Sequence, residues 1–287
     1  MSAVRSRGTR PVAFVLGRPA GPGSVLPDVI ALLGERGIPV TVDVVDDRVP
    51  APLLARWADA GLLVPRGLGL PVLEALRSLA GVPACNPVAA TAAARDKVEA
   101  RRRVLAAGVP IPEAAVTGRW EAVRAFGARR AVVVKAVAGS RGRGIHLTDR
   151  PGALPADPPF AGPWIAEERV PADGLDRKLY VIGSGVSGVL RTWPPRTLGD
   201  KLGTAFEPSE VEHAVARRAA GAVGLSLAGV DVINGPEGPV VVDVNAFPGF
   251  KGVPDAAARI AAHLADQRGA PAVEPASTAR EVTACAS

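Results

Sequence analysis

A chain of 287 residues with 48% apolar and 22% charged positions has material for one large or a few small packed cores. Its 34 basic against 28 acidic side chains give a charge of +6, yet the basic residues are scattered apart from one knot, Ala100 to Arg103, and aromatics are only 4%, which disfavours a nucleic-acid partner. No apolar run reaches the roughly 18 residues of a membrane helix, and two cysteines, Cys85 and Cys285, make neither a disulfide framework nor a metal cluster, so a reducing cytoplasm is the expected setting.

The N-terminal arginines and the short apolar run after them lack the long core and cleavage site of a signal peptide, so Val12 to Leu16 reads as a first strand. Ser24 is expected to cap a helix through Leu33, and "IPVTVDVV" reads as a second strand. "APLLARWADAGLLVPRG" and "PVLEALRSLAGVPACN" continue this alternation to Asn86. Strands separated by helices predict a parallel sheet with helices on its faces. Thr91 is then expected to cap one helix running through Ala107, ended by Gly108, Pro110 and Pro112.

From there the grammar changes. "RAVVVKAVAGSRGRGIHLTD" reads as strand, glycine-rich loop and short strand. "PWIAEERVP", "RKLYVIGSGVSGVLRTW" and "GPVVVDVNAFPG" add strands, two of them joined by a turn around Ser184, so an antiparallel sheet is expected. Glu207 to Val223 and Ala256 to Gln267 read as helices. Beyond Arg268 the chain has little to bury and reads as a frayed tail.

Gly139, Gly142 and Gly144 let backbone N–H groups approach phosphate oxygens without a Cβ in the way. No Lys-Ser or Lys-Thr follows as in a P-loop, and the strand that comes next offers no helix N-terminus to a pyrophosphate. The arrangement is a flap, though an ordinary hairpin would look the same. Lys135 ends the half-buried "VVVK" and must be paired, meet a ligand, or snorkel at the strand edge. Asp243 and Asn245, two apart on a strand, project from one face, and Asp231 sits on an expected neighbouring strand. Such hard-oxygen groups suit Mg²⁺; alternatively, Asp243 and Asn245 satisfy the turn before Pro248.

Taken in order and spacing, "RDKVEARRRVLAAGVPIP", "VVVKAVAGSRGRGI", "WIAEERVPADGLDRKLYVIG", "GVDVI" and "VVVDVNAFPG" resemble the ATP-grasp fold over roughly Asn86 to Leu264. They look like its ribosomal-protein glutamate ligase-like branch, with a feature of the inositol trisphosphate kinases in "DVNAFPGFKG". The resemblance implies mixed α/β and α+β architecture: an N-terminal parallel α/β domain over residues 1–88, a central lobe with the flap over 89–163, a C-terminal lobe with the metal site over 164–267, and a disordered tail over 268–287.

It also implies roles. Lys97 and Lys135 hold the α- and β-phosphates of ATP, and Ser140 with Gly142 closes over the β- and γ-phosphates. Glu167, Glu168 and Val170 belong to the hinge that reads adenine, and Asp176 takes the ribose hydroxyls. Lys178 faces the γ-phosphate, Arg191 orients the transferring group, and Asp231, Asp243 and Asn245 bind two Mg²⁺ ions, with Mn²⁺ as a substitute. Lys178 replaces the usual arginine and Asp243 the usual glutamate of the ligases, and "TWPPRTLGDKLGTAFEP" replaces their acceptor-side stretch, so the acceptor does not carry over.

The implied reaction is ATP-dependent joining of a small-molecule carboxylate to an amine through an acyl phosphate, releasing ADP and phosphate. The runner-up is a kinase acting on a hydroxyl of an anionic substrate, with Arg141, Arg143, Arg191, Arg196, Lys201 and Lys251 as anion contacts. No nucleophile elbow or Ser/His/Asp set competes, and His146, His213 and His263 read as ordinary packing or surface residues. Family members pair into homodimers or homotetramers, and no membrane partner is expected.

Overall fold

Val12–Leu16 is buried along its whole length and forms β1, the centre of a parallel sheet in the order β2-β1-β3, with β2 at Val40–Val44 and β3 at Leu62–Arg66. A strand flanked on both edges and covered on both faces has no solvent side, so its sequence does not alternate. The computed structural model describes residues 10–79, 81–138, 144–171, 173–192 and 202–268. Ser140 and Gly142 of the flap, Arg141, Arg143, Arg196, Lys201 and the tail from 269 onward lie outside these described residues.

Helices α1 (Leu26–Glu35), α2 (Ala51–Ala58) and α3 (Leu70–Arg77) accompany the parallel strands. Ser24 Oγ accepts from Leu26 N–H at 3.3 Å, but Val25 occupies the cap position and the helix runs two residues past Leu33. The single helix expected from Thr91 to Ala107 is two helices, α4 (Val88–Arg95) and α5 (Lys97–Ala106). Asp96 breaks it. Its backbone is extended, and its carboxylate accepts from Val98 N–H at 2.9 Å and Glu99 N–H at 3.1 Å, which makes it the cap of α5. Thr91 lies inside α4, its hydroxyl bonded back to the Pro87 carbonyl at 3.0 Å.

Next come β4 (Ala114–Thr117), α6 (Trp120–Gly127), β5 (Val132–Ala136), β6 (Ile145–Leu147) and β7 (Trp164–Glu168), whose strands form a sheet in the order β4-β7-β5-β6. All its pairings are antiparallel. The last sheet is also antiparallel, in the order β10-β9-β8-β11-β12, from β8 (Leu175–Ile182), β9 (Gly185–Thr192), β10 (Thr204–Phe206), β11 (Leu227–Gly235) and β12 (Gly238–Ala246). Helix α7 (Glu210–Val223) begins with a capping box between Ser209 and Glu212, and α8 (Ala256–Gln267) closes the described chain.

Two cores hold the larger part together. One joins Phe14, Leu16, Leu26 and Leu33 of the parallel layer to Tyr180, Leu227, Phe250, Ile260 and Leu264. The other lies on the opposite face of the five-stranded sheet, where Ala93, Val104, Ala216 and Val223 meet Leu179, Val230 and Val244. Helices α4 and α5 thus pack on the last sheet, although the chain continues directly into the four-stranded one. That sheet has a small core of its own, Trp120, Val123, Val132, Val134, Leu154, Trp164 and Ala166.

Asn86 rivets the parallel layer to β11. It is fully buried, its Nδ2 donates to the Leu227 carbonyl at 2.8 Å, and its Oδ1 accepts from Ser226 and Leu227 N–H groups, each at 2.8 Å. Beside it, burial pushes the Cys85 thiol up to about 11, despite a contact with the Ser226 hydroxyl. Thiolate is the reactive form. Iodoacetamide at pH 8 is therefore expected to leave Cys85 unmodified in the folded protein and to label it fully after denaturation, as read by peptide mass mapping. Rapid native labelling would contradict this burial.

Candidate active site

The register of three adjacent strands builds the centre. Lys178 on β8 faces Asp231 on β11, and Asp231 faces Asp243 on β12, so one cation and two carboxylates lie in a row across the sheet. A β-bulge follows: Asp243 opposes Asp231, yet Val241 opposes Val232, which leaves Val242 as the extra residue. Its carbonyl does not go unused. Lys135 reaches from β5 of the other sheet and donates to Val242 O at 3.0 Å.

Lys178 is ion-paired with Asp231, their side chains 15% and 20% exposed. Burial lowers the Lys178 ammonium, but the Asp231 carboxylate outweighs it, so the net shift is upward. Asp243 accepts from Val244 N–H at 3.0 Å and from Asn245 Nδ2 at 3.1 Å. Burial and then the neighbouring Asp231 charge raise its pKa. Asp243 and Asn245 do share a face. Asp176, opposite Arg191 on β9, is likewise raised by burial and by Asp231.

Across the cleft, Lys135 Nζ lies 2.6 Å from Glu167, whose other carboxylate oxygen meets Arg101 Nη1 at 3.1 Å. All three side chains are at most 16% exposed. Lys97 Nζ approaches the Ala136 carbonyl at 3.5 Å. Its pKa is lowered by burial, partly offset by Asp243 and reinforced by Lys135, so both lysines lie within the field of Asp243. In the expected adenine hinge the N–H groups of Glu168 and Arg169 are already given to the Glu113 and Ala131 carbonyls, at 2.8 and 2.9 Å. Glu168 is exposed, while Val170 packs near Gly235 at the β11–β12 turn.

Sequence reasoning missed two members. Tyr180 alternates with Lys178 and Asp176 on β8, so the period of two pointed to it. Its hydroxyl accepts from Arg191 Nη2 at 2.7 Å, while the buried Arg191 Nε has no partner among the described residues. Arg101 is one turn beyond Lys97 on α5, the spacing that puts both on one helix face. Of the histidines, His263 is used internally, its Nε2 2.9 Å from Ser226 Oγ.

The donor set fits a hard divalent cation. Two crowded carboxylates and a nearby amide oxygen are what Mg²⁺ takes alongside phosphate oxygens and water. Among the described residues no group of three or more His, Cys, Asp or Glu is arranged to hold a metal, so Asn245, substrate and water would complete the shell.

Two antiparallel sheets facing each other, one presenting Lys135 and the other the Lys178–Asp231–Asp243 row, define the ATP-grasp class. Structures of like fold include the ATP-grasp ligase PsnB complexed with minimal precursor, Mg and ADP (TM-score 0.66, 22% identity, 89% of this chain and 97% of that one). D-cycloserine synthetase DcsG is another (TM-score 0.67, 20% identity, 90% and 99% covered). The RimK-like ATP-grasp domain model matches residues 173–267. A probable alpha-L-glutamate ligase of Xanthomonas axonopodis pv. citri is 31% identical over 216 residues, 68% of this chain and 72% of that protein. One of Stenotrophomonas maltophilia (strain K279a) is 31% identical over 215 residues, with 65% and 70% covered. The chain belongs to the RimK-like ATP-grasp family and is an ATP-dependent carboxylate–amine ligase. A kinase is not favoured.

Proposed function

We propose that this ligase joins amino-acid or peptide substrates, activating a carboxylate as an acyl phosphate at the Lys178–Asp231–Asp243 row. That row is the observation that carries the reading. The relatives named as glutamate ligases support L-glutamate as the first substrate to try. Residues 1–88 act as the substrate-side layer; the four-stranded sheet, which takes in β7 and so runs past 163 to Glu168, acts as the flap-bearing lobe, and the five-stranded sheet with α4 and α5 packed on it acts as the metal-bearing lobe.

Lys97 and Lys135 hold the α- and β-phosphates. Val170 borders the adenine and Asp176 the ribose, while Glu167 holds Lys135 in place. Asp231, Asp243 and Asn245 would hold two Mg²⁺ ions, with Mn²⁺ as a substitute, and the metal would supply positive charge to screen the phosphoryl oxygens. Lys178 fixes Asp231 and faces the γ-phosphate. Arg191, held by Tyr180, orients the phosphoryl group or the carboxylate that accepts it.

A carboxylate oxygen attacks the γ-phosphorus and ADP leaves. The amine then adds to the acyl carbon, the C–O bond to phosphate breaks, and the amine proton passes to water. No protein nucleophile is required, and the buried cleft limits hydrolysis of the mixed anhydride. A cytoplasmic setting and assembly into a homodimer or homotetramer belong to the same proposal; among the described residues no helix is long and apolar enough to cross a membrane.

Incubation with ATP, Mg²⁺, N-acetyl-L-glutamate and hydroxylamine is expected to yield a hydroxamate and one ADP per product, read by the ferric colour reaction and by mass spectrometry. A stable phosphorylated product with no hydroxamate would replace the ligase mechanism with simple phosphoryl transfer.

A further inference from the structure

The parallel sheet has a topological switch point. From central β1 the chain passes to β2 on one side and then to β3 on the other, so the loops leaving β1 and β3 diverge at their carboxyl ends. In open parallel sheets this is where ligands bind. Arg18 follows β1 and Arg66 ends β3. The two strand ends are tied together: Gly17 N–H donates to Arg66 O at 3.0 Å, and a Cβ on Gly17 would sit 2.1 Å from Gly67 O.

The Arg66 side chain does not stay on its own sheet. Its Nε donates to Phe247 O at 3.3 Å, its Nη2 lies 3.5 Å from Pro248 O, and the guanidinium carbon is 5.4 Å from the centre of the Phe247 ring. These partners directly follow Asn245 and the end of β12. The loop is held in an uncommon shape, with Phe247 at φ +38° and Phe250 at φ +48°, conformations that bulky residues adopt only when their surroundings impose them. Arg66 is half-buried. Burial lowers its pKa and the like-charged Arg18 lowers it further, with no carboxylate compensating among the described residues. A guanidinium fixed at two nitrogens, beside a second cation and at the rim of the metal row, is a planar fork awaiting an anion.

We propose that Arg66, assisted by Arg18, is the carboxylate subsite for the amine substrate, so that the enzyme takes an α-amino acid whose own carboxylate stays unreacted while its amine faces the acyl phosphate. This rests on the ligase reading above. The phosphate-holding lysines are thereby spared for ATP, and selection of the amine falls to the parallel layer.

The test uses the full chain, ATP, Mg²⁺ and N-acetyl-L-glutamate as a donor without a free amine. The amine is L-glutamate, its α-amide, or hydroxylamine. The wild type is expected to favour L-glutamate over the α-amide, and Arg66→Ala to erase that preference through a KM rise of about 10- to 100-fold for L-glutamate, the scale of one charge-assisted pair. Arg66→Lys should restore part of it. Arg18→Ala, at an exposed position where folding is not at stake, should shift the preference the same way by a smaller factor. If the wild type forms hydroxamate but no variant alters the preference, the subsite is wrong and the ligase reading stands. If Arg66→Ala weakens hydroxamate formation as much as amide formation, Arg66 serves the donor instead, which also overturns the proposal. A wild type that forms no hydroxamate overturns the ligase reading, and the subsite with it.

Discussion

Asp243→Asn is expected to lower turnover by about 10³-fold or more while leaving the melting temperature of the ligand-free protein unchanged or raised. The two halves of this expectation have one cause. Asp243 and Asp231 stand opposite each other in a site that burial has largely dried, and the ionised form of Asp243 is disfavoured there. That crowding is what a divalent cation relieves, so the charge is retained at the expense of the metal-free fold. Asparagine keeps an oxygen for the Val244 N–H, and Asn245 can turn its amide to match. Steady-state ADP release and differential scanning calorimetry check both halves. Full activity would remove Asp243 from the chemistry; a large loss of stability would mean that the residue is structural.

Glu167→Ala is expected to have the largest effect on folding. Its carboxylate lies between Lys135 and Arg101 in an enclosed cluster, and Arg101 also donates to the Pro112 carbonyl. Removing the anion strands two cations that keep only backbone carbonyls as acceptors. Breaking a buried pair of this kind costs about 3–5 kcal/mol. A fall in melting temperature on the order of 10 °C follows. Nucleotide affinity should weaken as well, because Glu167 fixes where Lys135 Nζ sits. Thermal unfolding and titration calorimetry with ADP and Mg²⁺ read the two effects. A melting point within about 2 °C of wild type would show that Arg101 and Lys135 find other partners.

Much of this was legible because local rules govern it. Val12–Leu16, the β8–β9 hairpin and α8 follow from apolar runs, a glycine turn and helical spacing. Asp243 and Asn245 on one face follow from the period of two. The break at Asp96 was not read, because "TAAARDKVEARRRVLAA" favours helix almost throughout, and propensity does not register a side chain that bonds to its own downstream backbone. The signal was present as Asp96 followed three residues later by Glu99, the spacing of a capping box. Other features had no local signature. The bulge at Val242 depends on which strand lies alongside, and the approach of Arg66 to Phe247 spans 181 residues. Glu167 was expected to serve through its backbone near adenine; its side chain is instead the counter-ion of Lys135, a pairing set by how two sheets meet.

The Asn86 rivet and the core that joins the parallel layer to one face of the catalytic sheet give the enzyme an anvil, while the flap-bearing lobe keeps a core of its own and meets the anvil through polar bridges from Lys97, Arg101 and Lys135. Swinging that lobe away exposes little grease and trades each bridge for water, so the jaw opens cheaply and substrate entry need not disturb the geometry of the carboxylate row.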